Sequence, residues 1–295
     1  MDSASKIFLA ASLFIIMMGM GLSLKKEDFS RVLKYPKAVF VGFLNQIILL
    51  PLIAFCLIQF FEVSNEIAIG VMILSACPGG PTSNLVTHLA KGDTALSVTL
   101  TAVNSLITMI TIPFIVKLAL GEFPVVGEEV ASPVATIIGV LIAIIALPLF
   151  IGMTVKTKKP QVAQRLDKPV RIASTVIIML VIVGIVIKER DQLMERISES
   201  FAIVITLNIA TMVIGFLTAL LFRLNFKQAL TISLESGNQN GTLAIEVGSL
   251  INNKLGFGFP AAVYSLFMYF TAAVPVFIGI KKSNKKLIQK IKQKS

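Results

Sequence analysis

The chain has 295 residues, of which 55% are hydrophobic and only 15% are charged, and its mean hydropathy is +0.86. Because soluble domains carry about 25% charged residues, this composition excludes a soluble globular protein and indicates one integral membrane domain. The formal net charge of +11 does not indicate nucleic-acid binding, since the basic residues lie mostly in short segments between apolar runs, as in cytoplasmic loops.

A membrane-spanning helix needs about 20 mostly apolar residues, and the sequence contains nine candidate runs. The first run is followed, not preceded, by basic residues, so we interpret it as a retained helix instead of a signal peptide. We predict an all-α membrane protein with nine transmembrane helices. They lie near residues 6–24, 37–61, 67–90, 95–118, 133–155, 171–187, 201–222, 229–250 and 258–280.

The basic residues predict the orientation of these spans. If the N-terminus lies outside, most of the 27 Lys and Arg residues fall on the inner side, and the outer loop Gly121–Val130 is acidic. This bias is the positive-inside pattern. It predicts a protein of the plasma (inner) membrane with a cytoplasmic C-terminus, whose tail Lys285–Lys294 contacts anionic lipids.

The third and eighth runs each contain a sequence that interrupts a helix. Cys77–Asn84 reads CPGGPTSN, and its prolines remove helix donors, so the helix should end there and restart near Thr82. Glu235–Asn240 reads ESGNQN and places polar groups within the eighth run. The two breaks lie on either side of the basic loop Lys156–Arg171, in corresponding halves, which is the arrangement of an inverted repeat in secondary transporters.

Glu235 is the one carboxylate within the two interrupting sequences. An ionisable group at membrane depth normally faces a cavity and serves a function. The other polar side chains of the interrupted and neighbouring runs supply oxygen ligands, a set that suits Na⁺ and not Zn²⁺. They belong to Asn84, Asn238, Gln239, Asn240, Ser83, Ser97, Thr101 and Gln46. Ordinary interhelical hydrogen bonding is the alternative for Gln46, Ser97 and Thr101, and a structural polar knot is the alternative for Glu235.

Three segments in this order resemble the bile acid:sodium symporter family. They are Cys77-Pro78-Gly79-Gly80 with Ser83-Asn84, then Ala95-Leu96-Ser97 with Thr101, then Glu235–Asn240. The resemblance covers nearly the whole chain. The ten-helix bacterial members would carry one more helix before Lys6, and nine helices with an external N-terminus resemble the vertebrate branch.

The resemblance implies two sodium sites that share Glu235. One would use Ser83, Asn84, Ser97, Thr101 and Glu235; the other would use Gln46, Glu235, Gln239 and the backbone carbonyls of Ser236 and Asn238. It also implies that the broken spans cross in a core, built from the spans near 37–61, 67–90, 95–118, 201–222, 229–250 and 258–280. The spans near 6–24, 133–155 and 171–187 would form a panel against which the core moves.

Four residues depart from the family pattern and leave the substrate open. Pro81 stands where members often have a small polar residue or alanine, and Met268 and Tyr269 stand where some relatives place polar residues. Glu246 is a carboxylate without a counterpart in that pattern. It either snorkels to the outer interface or lines an outer vestibule.

We therefore predict sodium-coupled symport of an organic anion, bile acid-like or a small carboxylate such as a pantoate-type acid, by alternating access. The anion is expected at Thr82, Ser83 and Asn240, because restarted helices present N–H groups and a positive dipole end. The expected partners are Na⁺, the anion and membrane lipids, with two Na⁺ as coupling ions, no organic cofactor and no nucleic acid.

Proton-coupled or exchange transport is the alternative on the same fold, with Glu235 titrating, and a passive channel is a further one. An intramembrane enzyme is a poor interpretation, because the sole histidine has no evident serine partner and neither HExxH nor a suitable aspartate pair occurs. The two cysteines indicate neither a disulfide framework nor a zinc site.

Overall fold

A computed structural model describes residues 3–125, 139–188, 193–251 and 256–292. Within these ranges the chain is helical, with no β-strand and a single antiparallel bridge between Gly79 and Gln239. Residues 126–130 of the predicted acidic loop, residues 133–138 of the fifth predicted span and Lys294 of the tail lie outside this part. The prediction of an all-α protein is confirmed for the described residues.

The first half contains seven α-helices in its described part. They are α1 (Ser3–Ser23), α2 (Lys26–Lys34), α3 (Pro36–Phe43), α4 (Leu50–Phe61), α5 (Asn65–Ala76), α6 (Pro81–Leu89) and α7 (Thr94–Glu122). A π-helical segment, Leu44–Leu49, joins α3 to α4 so that the second predicted span is continuous.

The second half contains six further α-helices among the described residues. They are α8 (Leu147–Lys158), preceded by a π-helical segment Ile142–Ala146, then α9 (Pro160–Lys188), α10 (Leu193–Leu221), α11 (Phe226–Gly237), α12 (Gly241–Ile251) and α13 (Phe259–Lys292). The predicted loop Lys156–Arg171 is wrong, because α8 runs to Lys158 and α9 begins at Pro160. Proline at a first helical position is favourable, and most of residues 161–168 are good helix formers, although Pro169 lies inside the helix.

Five helices of the described part are long and apolar enough to cross a membrane. They are Pro36–Phe61, Thr94–Glu122, Gly139–Lys158, Met194–Leu221 and Phe259–Lys285. Large apolar side chains such as Phe114, Leu217 and Phe270 are exposed on them, which lipid would cover. Shorter apolar helices cover Ala11–Leu22, Asn65–Ala76 and Gly241–Ile251. The count of nine spans and the inverted repeat stay predictions.

The helix breaks lie where proline and glycine predict them. In the third run α5 ends at Ala76 and α6 begins at Pro81; in the eighth run α11 ends at Gly237 and α12 begins at Gly241. The two breaks lie side by side, because Gly79 pairs with Gln239 and the N–H of Asn240 donates to the carbonyl of Pro78 at 2.8 Å. Four helix ends therefore meet at one place in the fold.

A close contact joins α1 to α8. A Cβ added to Gly21 would touch the carbonyl of Leu149, and one added to Gly152 would lie 2.7 Å from the backbone N of Leu22. Glycines permit this approach of two backbones, as is common in membrane helices. Helix α9 packs on the same pair, and α1 also packs against α12. The division into core and panel stays a prediction.

Helix α2 was not predicted. No helix was expected between the predicted spans near 6–24 and 37–61, whereas residues Lys26–Lys34 are helical. Asp28 accepts from the backbone N of Lys25 at 2.8 Å and pairs with Arg31 at 2.6 Å. A short amphipathic helix of this kind suits the membrane interface.

Candidate functional site

Glu235 lies at the meeting point of the two breaks, in the last turn of α11, with 3% of its surface exposed. Its Oε1 accepts from Ser83 Oγ at 2.8 Å and from Ser97 Oγ, and its Oε2 accepts from Thr101 Oγ1 at 3.0 Å. Ser83 comes from α6, and Ser97 and Thr101 come from one face of α7. Ser97 and Thr101 are four positions apart, so they lie on one face of α7, and this face is directed at Glu235.

Asn84 completes this group of oxygens. Its Oδ1 accepts from Ser97 Oγ at 2.8 Å and lies 3.4 Å from Thr101 Oγ1. Ser83 Oγ also lies 2.7 Å from the carbonyl oxygen of Gly80. Each hydroxyl has one proton, so the three hydroxyls cannot donate to all of these oxygens at once. The group is rich in acceptors and poor in donors, which is the composition that a hard cation favours.

A second polar group lies on the other side of the breaks. Gln46, 4% exposed in the π-helical segment, donates through Nε2 to the carbonyl of Cys77 at 2.8 Å and to Gln239 Oε1 at 2.9 Å. Gln239 Nε2 in turn donates to the carbonyl of Ser236 at 2.8 Å. The structure thus brings together Gln46, Gln239 and the Ser236 carbonyl, three members of the predicted second sodium site.

Gly79 lies between the two groups. A Cβ built on it would be 2.7 Å from Glu235 Oε2, 3.5 Å from the carbonyl oxygen of Asn238 and 3.5 Å from Ser83 Oγ. Atoms of three predicted sodium ligands therefore lie around the place where a side chain at position 79 would begin. The side chain of Asn238 is directed elsewhere, since its Nδ2 donates to the carbonyl of Leu234 at 2.8 Å.

The predicted substrate residues lie at the starts of α6 and α12. Asn240 is 5% exposed, and its Oδ1 accepts from the backbone N of Leu243 at 3.1 Å, as an N-cap residue does. Its Nδ2 has no hydrogen-bond partner among the described residues. A Cβ on Gly80 would lie 3.5 Å from Thr82 Oγ1 and 3.8 Å from Asn240 Cα, so Thr82 and Asn240 flank that glycine.

Sequence reasoning missed the residues that hold the end of α11. Asn208 of α10 and Tyr264 of α13 both donate to the carbonyl of Gly237, at 2.7 and 2.9 Å. A helix end leaves carbonyl groups without intrahelical partners, and in a membrane they need internal donors. The position of Asn208 inside an apolar run could have indicated a buried polar role, but the sequence does not show which group accepts its hydrogen bond.

Asn104 of α7 was also missed. It is 1% exposed, its Oδ1 has no partner among the described residues, and it follows Thr101 by three positions and Ser97 by seven. This spacing continues the same helix face, so the polar side of α7 extends beyond the two residues that the sequence analysis named.

Glu246 does not snorkel. It lies in α12 with 4% of its surface exposed, and its Oε2 has no hydrogen-bond partner among the described residues. The snorkelling alternative is therefore wrong for this structure: helices α1, α5 and α13 pack against α12, and the side chain of Glu246 is buried. Of the other departures, Pro81 starts α6, Met268 is buried and Tyr269 is 44% exposed.

Comparison with known proteins gives the family of this chain. The profile of the Sodium Bile acid symporter family matches residues 10–196. An uncharacterized sodium-dependent transporter of Bacillus subtilis, YocS, is 31% identical over 280 residues, which are 95% of this chain and 85% of the relative. The human ileal sodium/bile acid cotransporter is 30% identical over 280 residues, 93% of this chain and 78% of the relative.

The chain belongs to the sodium/bile acid symporter family. A probable chloroplastic sodium/metabolite cotransporter of rice, BASS2, is also similar, at 26% identity over 228 residues, 77% of this chain and 53% of the relative. Symporters of this family are sodium-dependent transporters and not enzymes, so the predicted family and the prediction of a non-enzyme are confirmed. Na⁺ is the coupling ion that the family implies.

Proposed function

We propose that this symporter couples the inward movement of Na⁺ to that of an organic anion by alternating access. The observation that carries the proposal is the surroundings of the buried Glu235, where two broken helices meet. Three hydroxyl groups donate to its carboxylate, and the amide oxygen of Asn84 lies beside them. A carboxylate taken out of water needs a compensating charge, and a bound cation supplies one.

The first sodium ion is assigned to Ser83, Asn84, Ser97, Thr101 and Glu235. The support is the surplus of acceptors in this group: when Na⁺ binds, each hydroxyl turns its lone pair to the ion and its proton to a remaining acceptor. Helices α6, α7 and α11 each supply at least one of these residues, so binding of the ion would tie the three helices together.

The second sodium ion is assigned to Gln46, Glu235, Gln239 and the carbonyls of Ser236 and Asn238. The support is the proximity of both amides to the Ser236 carbonyl and the approach of Glu235 Oε2 and the Asn238 carbonyl to Gly79. The amides of Gln46 and Gln239 would exchange their mutual hydrogen bond for contacts of their oxygens with the ion. One carboxylate between two cations is better compensated than a carboxylate beside one.

The anion is assigned to Thr82, Ser83 and Asn240. The support is the unpaired Nδ2 of Asn240 and the convergence of two helix N-termini, whose dipoles favour negative charge. A bile acid-like anion and a small carboxylate such as a pantoate-type acid both satisfy this chemistry. The names of the relatives, which mention bile acid and metabolite, agree with a substrate of this kind.

Sodium from outside binds first, orders the breaks and adds positive charge beside the anion position. The loaded core, formed by the spans from α3 to α7 and from α10 to α13, then moves against a panel of α1, α8 and α9. Sodium biases this movement only through its different affinity for the two states. The N-terminus lies outside, the C-terminus lies in the cytoplasm, and the basic end of α13 contacts anionic lipid of the plasma membrane.

Uptake by the purified protein in sealed vesicles tests the proposal. An inward Na⁺ gradient at equal pH on both sides should drive a labelled organic anion above its equilibrium level, and K⁺ in place of Na⁺ should not. Accumulation that ignores Na⁺ but follows an imposed pH gradient would establish the proton-coupled alternative. Uptake that stops at equilibration would establish a channel.

A further inference from the structure

Glu246 is a buried carboxyl group outside the Glu235 cluster. Glu235 has three hydroxyl neighbours, whereas Glu246 Oε2 has no hydrogen-bond partner among the described residues although the residue is 4% exposed. Burial of a carboxyl oxygen without a partner is costly. A group that persists in such a position needs a partner that the described residues do not provide.

One side of α12 is occupied by the start of α13. A Cβ on Gly241 would touch Ser265 Oγ, and one on Gly258 would lie 3.1 Å from Ile245 Cα. Since successive helical residues are about 100° apart, Glu246 points about 100° away from the direction of Ile245. The carboxyl group is therefore not directed into the contact with α13.

The side of α12 that carries Glu246 is polar. Thr242 and Ser249 precede and follow Glu246 by four and three residues, so the three share one helix side. Thr242 is 8% exposed and Ser249 is half-buried, while Leu250, next to Ser249, is 38% exposed. This polar side begins at Thr242, two positions after Asn240, and ends at the half-buried Ser249.

We propose that Glu246 accepts a hydrogen bond from a hydroxyl or ammonium group at the far end of the transported organic anion. The inference rests on the proposed function, because it takes the acidic end of the solute to lie at Asn240. Glu246 follows Asn240 by six positions, which is about 9 Å along the helix. The substrate class is thus an organic anion with a donor group roughly six bonds from its acidic group.

Helix α1, which belongs to the proposed panel, also packs against α12. A ligand that enters and leaves therefore suits Glu246 better than a fixed partner. Movement of the panel helix α1 past α12 would change the enclosure of Glu246 in each transport cycle. A carboxyl that served only to hold the fold would need a permanent donor. Lys6, which lies in α1, is the cation to test for that role.

Three probes of equal chain length test the inference: hexanoate, 6-hydroxyhexanoate and 6-aminohexanoate. Thermal stabilisation of the purified protein in Na⁺ reports binding of each, because a ligand raises stability according to its concentration over Kd. We expect the wild type to bind the hydroxy and amino acids at least about tenfold more tightly than hexanoate, or about 1.4 kcal/mol. Equal binding of the three, or binding of none, overturns the inference.

Two substitutions identify the acceptor. Glu246→Met removes both oxygens and should abolish the preference for the two donor acids over hexanoate. Glu246→Gln keeps one neutral carbonyl oxygen and should favour the hydroxy acid over the amino acid. Glu62→Gln, at an exposed glutamate, is the control and should keep the wild-type order. A wild-type order of affinities in Glu246→Met overturns the inference in favour of a structural role. Loss of the donor preference in Lys6→Met overturns it in favour of an internal ion pair.

The proposed function fails on a different result. It requires that Na⁺ increase the binding of organic anions, whichever member of the series is preferred. If Na⁺ raises the affinity for organic anions but hexanoate and 6-aminohexanoate bind equally tightly, the assignment to Glu246 is wrong and the symporter stands. If Na⁺ has no effect on any anion while the donor preference persists, the assignment stands and sodium coupling is wrong.

Discussion

The backbone N–H of Asn240 donates to the carbonyl oxygen of Pro78 at 2.8 Å, so the break before α12 and the break before α6 satisfy each other's main-chain groups. In a bilayer, an unpaired backbone group has no water to replace its partner. Neither break would therefore be stable in lipid without the other. A ligand that shifts one break must also shift the second, which makes this junction a suitable place to couple an ion to a solute.

Glu235→Gln is expected to lower sodium affinity by about tenfold or more and to abolish sodium-driven uptake. The amide keeps the size of the side chain and one acceptor but removes the charge that compensates the cations. Titration with Na⁺, followed by thermal stabilisation of the purified protein, measures the affinity, and vesicle uptake measures the coupling. Glu62→Gln is the exposed control. Normal sodium-driven uptake by Glu235→Gln would remove the central residue of the mechanism.

Gly79→Ala should weaken sodium binding to a similar degree while the protein remains folded. The new Cβ would lie 2.7 Å from Glu235 Oε2 and would displace it. Backbone strain does not contribute, because Gly256 is the one glycine with a positive φ in the described residues. Gly121→Ala, where a Cβ meets nothing within 4 Å, is the control. If Gly79→Ala and Gly121→Ala bound Na⁺ with equal affinity, the ions would not lie beside Gly79.

The positions of both helix breaks could be predicted from the sequence, because proline and glycine act on their own segment of chain. The common face of Ser97 and Thr101 could be predicted for the same reason, from helical spacing alone. The contact of that face with Glu235 was suggested only by the family resemblance, since 138 and 134 residues separate the members of these pairs.

Contacts that depend on the packing of distant helices could not be predicted. Asn208 and Tyr264 reach the carbonyl of Gly237 from two other helices, and backbone carbonyls leave no trace in a sequence. The burial of Glu246 also depends on its neighbours, because a glutamate near the end of an apolar run snorkels unless packing prevents it.

Asn240→Ala should reduce anion binding more than sodium binding and should also destabilise the protein by about 1 kcal/mol through loss of the N-cap. Asn240→Ser separates the two effects, because a serine hydroxyl can cap the backbone N of Leu243 but cannot replace the unpaired Nδ2. The serine variant should therefore melt like the wild type and still bind the anion poorly. Wild-type anion affinity in the serine variant would limit Asn240 to a capping role.

Tyr264→Phe should cost about 1 kcal/mol of stability, the typical net value of one hydrogen bond. The hydroxyl donates to the Gly237 carbonyl at 2.9 Å, next to the carbonyls assigned to sodium, so sodium affinity should fall as well. Tyr269→Phe is the matched control, because Tyr269 is 44% exposed. If Tyr264→Phe lowered the melting temperature without changing sodium affinity, the hydroxyl would stabilise the fold and have no part in positioning the break.

Gly152→Ala should destabilise the contact between α1 and α8 by about 1–3 kcal/mol, the usual cost of inserting a carbon into a well-packed interface. The added Cβ would meet the backbone at Met18 and Leu22, and backbone atoms cannot rotate away as a side chain does. In Gly184→Ala, by contrast, nothing lies within 4 Å of the Cβ, and alanine is a better helix former than glycine. Melting of the two purified variants should therefore shift in opposite directions from the wild type. If Gly152→Ala were as stable as the wild type or more stable, α1 and α8 would separate at this contact without cost.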